Sequence, residues 1–283
     1  MPEGNFIYAL LLTLGAGLAT GLGGVIIMFT KKFSPKFLSV SMGFSAGVMI
    51  FISFVELFGN ARVSLAMLYG DKMGLFYTLL AFFGGMALIA VIDNLVPSYE
   101  NPHEVTPLTL EAVTEHGPDK LPDVNKQPEP DKNARKLLRV GILSSIVIAV
   151  HNFPEGMATF ISAMESPSLG ISIAFAIALH NIPEGIAIAI PIYYATRKKS
   201  KAVLNATVSG LAEPLGAVLG YFLLSSFISE SFLGIILSGV AGIMVYISLD
   251  ELLPTAENYG EHHIAIMGVI AGMVFMGFGL LLF

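Results

Sequence analysis

Apolar residues in this chain gather into runs long enough to cross a hydrocarbon layer, and this limits the possible folds more than any single motif does. A layer of ~30 Å takes about 20 helical residues. Eight runs approach or exceed that length: 6–29, 37–58, 75–97, 137–164, 169–195, 202–227, 232–253 and 262–283. No water is present at that depth, so each segment must satisfy its own backbone N–H and C=O groups. The expectation is an all-α integral membrane protein with eight transmembrane helices. Only 13% of the residues are charged, against about 25% in soluble domains, which agrees with that class.

One long polar segment interrupts the pattern. Residues 98–136 hold prolines at 102, 107, 118, 122, 128 and 130 among charged residues, and such a stretch cannot bury enough apolar surface to order itself. It is read as a flexible cytoplasmic loop between helices 1–3 (1–97) and helices 4–8 (137–283) of one membrane domain. Basic residues set the orientation. Lys31, Lys32 and Lys36 follow the first span; Lys120, Lys126, Lys132, Arg135, Lys136 and Arg139 precede the fourth; Arg197, Lys198, Lys199 and Lys201 follow the fifth. Only Arg62 and Lys72 fall on the opposite side, so the excess of Lys and Arg in cytoplasmic loops puts both termini outside. The segment Pro254–His262 is expected to be a cytoplasmic loop although it has no Lys or Arg. Met1–Asn5 lacks the positive stretch of a cleavable signal, so the first run is read as a permanent helix. No basic patch with interleaved aromatics suggests a nucleic-acid partner. The absence of Cys excludes disulfides and thiolate metal sites.

Two spans carry the same phrase: His151-Asn152-Phe153-Pro154-Glu155-Gly156 and His180-Asn181-Ile182-Pro183-Glu184-Gly185. An ionised carboxylate at the centre of a membrane helix costs about 2.5–3.5 kcal/mol on the translocon scale, so intramembrane carboxylates point to function. On a helix, residues three and four apart share a face. His151, Asn152 and Glu155 therefore lie together, as do His180, Asn181 and Glu184. Pro154 and Pro183 each remove an amide donor and free a carbonyl one turn earlier, at Val150 and Leu179. Span 6 adds a third carboxylate, Glu213, also followed by proline (Pro214).

The combined donor set is two imidazoles, two amide oxygens and three carboxylates, which suits Zn²⁺, Fe²⁺, Mn²⁺ or Co²⁺ better than Cu⁺. Three carboxylates with neutral imidazoles carry −3; one divalent ion leaves −1 and two leave +1. Two adjacent ions bridged by Glu155 and Glu184 would come close to neutralising the site. Without metal the site should take up protons, which makes its activity pH-sensitive. The competing reading is that these polar side chains only join helices. Two copies of one phrase together with Glu213 weigh against it, although either Asn could simply bond a freed carbonyl.

An internal repeat points in the same direction. Residues 46–57 align without gaps with 241–252, pairing Ser53 with Ser248 and Glu56 with Glu251. By the orientation above, these two spans run in opposite directions. Inverted repeats with a midplane site between them are characteristic of transporters. Small residues four apart (Gly17 and Gly21, Gly43 and Gly47, Gly216 and Gly220, Gly268 and Gly272) are read as helix-crossing points. A membrane zinc hydrolase is the main enzymatic alternative, but it would use His-Glu-x-x-His, which this chain lacks. A channel or metal sensor leaves no local signature and stays open at this point.

His-Asn-x-Pro-Glu-Gly, repeated on consecutive spans of an eight-span chain, resembles the ZIP (Zrt/Irt-like) family of divalent-metal transporters. Met157-Ala158-Thr159-Phe160 after the first phrase and Ile186-Ala187-Ile188-Ala189-Ile190-Pro191 after the second resemble its bacterial zinc-uptake branch. The resemblance covers nearly the whole chain except the 98–136 loop. It implies a multi-pass protein of the bacterial plasma membrane, not an enzyme. Its cargo would be Zn²⁺, with iron(II), manganese, cobalt or cadmium as further substrates, and no resident cofactor. It also implies a binuclear centre between spans 4, 5 and 6. One site would use Glu155, His180 and Glu184 with His151 as fourth ligand; the other would use Asn152, Glu155, Asn181, Glu184 and Glu213. Movement of spans 1, 4, 5 and 6 against spans 2, 3, 7 and 8 is implied as well, together with a homodimer in contact with lipid. Outside the centre, Glu56 is expected near the outer mouth, and Asp250, Glu251, Glu257, Glu261, His262 and His263 near the inner one. These inner residues could hand metal to the cytoplasm or could simply be solvated helix ends. His103 and His116 are too few to make the loop a metal sensor.

Overall fold

A computed structural model describes residues 3–29, 35–95, 132–224 and 230–282. Among them every regular element is helical. Helix α1 is Glu3–Phe29. Helix α2 runs from Pro35 to Ile52, through a π-helical turn at Ser53–Phe58, and on as Gly59–Tyr69. Helices α3 (Asp71–Leu95), α4 (Lys132–Glu165) and α5 (Pro167–Thr196) follow. Helix α6 comes in two parts, Lys199–Gly210 and Ala212–Leu224, joined at Leu211. Helix α7 runs Glu230–Ile247, through a second π-helical turn at Ser248–Leu252, and on as Leu253–Tyr259. Helix α8 is His262–Gly279.

Among the described residues, seven helical runs are long and apolar enough to cross a membrane by length and composition. The remaining long helix, α4, has 34 residues, or about 50 Å at 1.5 Å per residue. Several boundaries differ from the sequence reading. The second span does not stop at 58, because Gly59 and Asn60 continue a helix whose backbone bonds already run through the π turn. Helix α4 begins at Lys132, inside the expected loop; residues 98–131 of that loop, with His103 and His116, lie outside the described residues. Pro254–Tyr259 is helix, not loop, because a proline is tolerated in the first turn, where its missing N–H has no intrahelical role. The sixth span is broken at Leu211.

Two sets of helices can be separated by their packing. Helices α1, α4, α5 and α6 pack on one another, while α2 packs along α8 and α3 along α7. Close approach depends on small residues. A Cβ added at Gly17 would sit 2.3 Å from the Gly210 carbonyl oxygen of α6, and one at Gly185 would sit 1.9 Å from that of Thr20 on α1. Gly156 lies equally close to Glu213, and Gly216 to Phe153, so α4 and α6 meet glycine to backbone from both sides. All four small-residue pairs read from the sequence occur at such crossings; Gly43 and Gly47 face α8 while Gly268 and Gly272 face α2. At one end of the first set, the rings of Phe6, Phe160 and Tyr221 pack edge to face with centroids 4.9–5.7 Å apart, joining α1, α4 and α6.

The other set is tied by polar bonds. Ser238 donates to the Thr78 carbonyl at 2.8 Å, and Tyr69 donates to Ser231 Oγ at 2.9 Å. The second bond sets the end of α2 beside the start of α7, so these helices are antiparallel. Their π turns begin at Ser53 and Ser248, the residues that the ungapped alignment pairs.

These crossings predict the response to added bulk. A Cβ at Gly47 would lie 2.0 Å from the Val269 carbonyl oxygen, whereas one at Gly84 meets nothing within 4 Å. Gly47→Val should cost about 1–3 kcal/mol and lower the thermal midpoint of the detergent-solubilised protein. Gly84→Ala should leave the midpoint unchanged, and equal midpoints for the two variants would contradict the packing described.

Candidate metal centre

Both repeated phrases lie on continuous helix. Helix α4 passes through Pro154 and α5 through Pro183 without interruption, which holds His151, Asn152 and Glu155 on one face and His180, Asn181 and Glu184 on another. Glu213 is positioned differently. Pro214 has no N–H to return to the Gly210 carbonyl and disfavours helical geometry at the residue before it, and α6 restarts at Ala212 with Glu213 in its first turn. A carboxylate there is favoured by the positive end of the helix dipole. The run Gly210-Leu211-Ala212-Glu213-Pro214 was the available signal for this break.

All seven residues are buried. Asn152, His180, Asn181 and Glu213 are fully enclosed, and the most exposed, His151 and Glu184, retain only 4%. His180 Nε2 lies 3.2 Å from Glu155 Oε2, bringing α5 to α4. Asn181 donates through Nδ2 to Glu213 Oε1, bringing α5 to α6, and to the Ala16 carbonyl at 2.9 Å. Asn152 donates through Nδ2 to the Ser209 carbonyl at 3.3 Å. Glu184 lies within electrostatic reach of Glu155, Glu251 and Glu213, and Glu213 within reach of Glu155. His180 and Asn181, adjacent on α5, thus reach the carboxylates of Glu155 and Glu213 respectively.

The pattern of unmet hydrogen bonds shows what this cluster can accept. Each Asn spends its amide N–H groups on a backbone carbonyl, and its Oδ1 then has no partner. Glu155 Oε1, Glu184 Oε2 and Glu213 Oε2 are likewise buried without one. Five acceptor oxygens on α4, α5 and α6 are thus buried with no protein donor. Leaving such groups buried and unpaired is costly, and a cation is the complement that satisfies several at once. The side chains are not drawn up as a finished shell: among the described residues, no three His, Asp or Glu side chains form a group that could already hold a metal.

The structure gives one outer residue a closer place than the sequence suggested. Glu251, in the second π turn, sits with Oε1 3.3 Å from His151 Nδ1. Glu56, in the first π turn, instead accepts from Asn60 Nδ2 at 3.0 Å on its own helix. At the far end of α7, His262 Nδ1 lies 2.6 Å from Glu257 Oε1 in an exposed pair, and His263 stacks edge-on against His262.

The family model described as ZIP Zinc transporter matches residues 4–280. The chain is 55% identical over 279 residues to the zinc transporter ZupT of Clostridium perfringens, covering 99% of this chain and 97% of that protein. It is 54% identical over 280 residues to the protein of that name from Chlorobium chlorochromatii, covering 99% and 98%. The one from Nitratidesulfovibrio vulgaris is 50% identical over 283 residues, covering 100% and 99%.

Zinc should therefore stabilise the protein. At a free concentration 100 times the dissociation constant, one bound ion adds about 2.7 kcal/mol, read as a rise in the thermal midpoint. Glu155→Ala and Glu184→Ala should each remove most of that rise, while Gly84→Ala should keep it. Because ligands bind metal deprotonated, the rise should shrink as the medium is acidified. A midpoint indifferent to zinc would count against a cation at these oxygens.

Proposed function

Because the chain belongs to the ZIP zinc-transporter family, we propose that it takes Zn²⁺ up across the plasma membrane into the cytoplasm through the cluster between α4, α5 and α6. It is a multi-pass membrane transporter and not an enzyme. The observation that carries the reading is the set of five buried oxygens from Asn152, Asn181, Glu155, Glu184 and Glu213 with no donor. A divalent ion entering the site exchanges its water shell for these oxygens and the two imidazoles.

Two ions share the centre in this proposal. Glu155, His180 and Glu184 hold one, with His151 completing its shell. Asn152, Asn181 and Glu213 hold the other, with Glu155 and Glu184 bridging. The short reach from His180 to Glu155 and from Asn181 to Glu213 supports this division. Iron(II), manganese, cobalt and cadmium are further substrates, since a set of nitrogen and carboxylate donors without thiolate does not restrict binding to zinc.

Transport follows an alternating-access cycle in which α1, α4, α5 and α6 move as a unit against α2, α3, α7 and α8. The packing of the first set on itself supports this division, as do the π turns at matched positions of an inverted repeat. The protein works as a homodimer with both termini outside the cytoplasm. Asp250 and Glu251 receive the ion on its way inward, a role supported by the contact of Glu251 with His151.

Purified protein in liposomes tests this directly. Zinc should accumulate inside the vesicles down its gradient, with Glu155→Ala and Glu184→Ala each reducing the rate at least about 100-fold, the upper end of what a lost ligand or its supporting partner costs a metal site. Asn152→Ala and Asn181→Ala should change the preference among competing metals more than the zinc rate. Protein that binds zinc and moves none would remove the transporter reading, and parental rates in either Glu variant would remove the ligand assignment.

A further inference from the structure

The two imidazoles of the centre are supported unequally. A histidine that ligates a metal usually gives its other ring nitrogen to a carboxylate or carbonyl, which orients the ring and raises its basicity. His151 has such a partner in Glu251, at 3.3 Å from Nδ1. His180 faces Glu155 through Nε2, and its Nδ1 is fully buried with no partner. The site thus has one outer carboxylate where its chemistry calls for two.

The repeat identifies the second. Glu251 pairs with Glu56 in the ungapped alignment, and each lies in a π-helical turn. Such turns insert one residue, redirect the side chains that follow and occur frequently at functional sites. The phrases bearing His151 and His180 lie on α4 and α5, which are antiparallel because they are joined only at Ser166. By the symmetry of an inverted repeat, the counterpart of His151 against Glu251 is His180 against Glu56.

That contact is not made here. α2 reaches α5 through Ser45, whose Oγ donates to the His180 carbonyl at 3.4 Å. Glu56 lies eleven residues farther along α2, or roughly 16 Å at 1.5 Å per residue. Because α2 and α7 are antiparallel, one slide of α4 and α5 along them toward the Tyr69 end carries His180 to Glu56. The same slide takes His151 away from Glu251. Neither carboxylate needs to leave its own helix.

We propose that Glu56 is the second positioning carboxylate of the centre, taking the Nδ1 of His180 in the state open to the opposite side, as Glu251 releases the Nδ1 of His151. This rests on the alternating-access reading above. The exchange keeps one imidazole supported in each state and unsupported in the other. In the state with His151 on Glu251, Glu56 is held by Asn60 on its own helix.

The chain contains no cysteine, so paired thiols can be introduced cleanly into the full-length protein in liposomes. Dibromobimane, which fluoresces when it bridges two thiols, reads proximity. His151→Cys with Glu251→Cys should bridge as prepared. Glu56→Cys with His180→Cys should bridge weakly, and about fivefold more when Glu251→Gln releases the opposing contact, the lower end of ordinary coupling between sites. Zinc uptake supplies a second reading. Glu56→Gln preserves an amide bond to Asn60 but removes the carboxylate, so it should raise KM for external zinc about fivefold, while Glu251→Gln lowers it by a similar factor. A merely structural Glu56 would not produce opposite shifts. If the 56/180 pair fails to bridge in both backgrounds while the 151/251 pair bridges, or if the two KM values move together, the exchange is overturned. Absence of zinc uptake by the unaltered protein would instead overturn the transport reading on which the exchange rests.

Discussion

Negative charge held out of water shapes this protein more than any other interaction. Glu155, Glu184 and Glu213 are buried at 4% exposure or less, in a region where the idealised cost of burying a single unpaired ion is tens of kcal/mol. The protein offers only partial relief. Asn181 gives Glu213 an N–H, His180 can give Glu155 another, and the first turn of the restarted α6 contributes its dipole. Glu155 Oε1, Glu184 Oε2 and Glu213 Oε2 have no partner. Oxygens left short in this way suit a cation, which can satisfy several of them at once.

Holding the carboxylates together requires helices close enough for short side chains to meet. This explains why glycines surround the centre instead of larger apolar residues. Gly156 lies against the backbone at Glu213, Gly216 against that at Phe153, and Gly185 against that at Thr20. Each brings one of the ligand-bearing helices within reach of another. The bonds from Asn152 to Ser209 and from Asn181 to Ala16 serve two ends, since they orient the amide oxygens inward and fasten α4 to α6 and α5 to α1. Contacts between the two helix sets are both polar and apolar, and Ala158, Ile173 and Ile177 share one core with Met49, Val240 and Met244. Other contacts include Ser45 with the His180 carbonyl, Glu251 with His151, and apolar contact around Leu38, Ile186 and Tyr259.

Much of this was legible in the residues. The long apolar runs could only be helices, and the repeated phrase marked the centre because its polar groups are too costly to bury without purpose. Glu213 is buried with them and accepts from Asn181, and the small-residue pairs do lie at crossings. The errors have local physical causes. Gly59 and Pro254 look like helix ends in sequence, while Pro214 lies inside an apolar run that reads as one unbroken span. In the fold, a π turn carries α2 past Gly59, a first-turn position tolerates Pro254, and Pro214 breaks α6 inside the span.

By itself the sequence determined which groups would be buried in the membrane and on which helical faces they would lie, since helix periodicity and the cost of desolvation act within each segment. Only the tertiary structure decided which of those groups meet. That His180 reaches Glu155 while its Nδ1 goes without a partner, that Glu251 and not Glu56 supports an imidazole, and that both amides turn their oxygens inward are outcomes of helix register. Register between helices is set by close packing across the whole interface, and no segment carries that information alone.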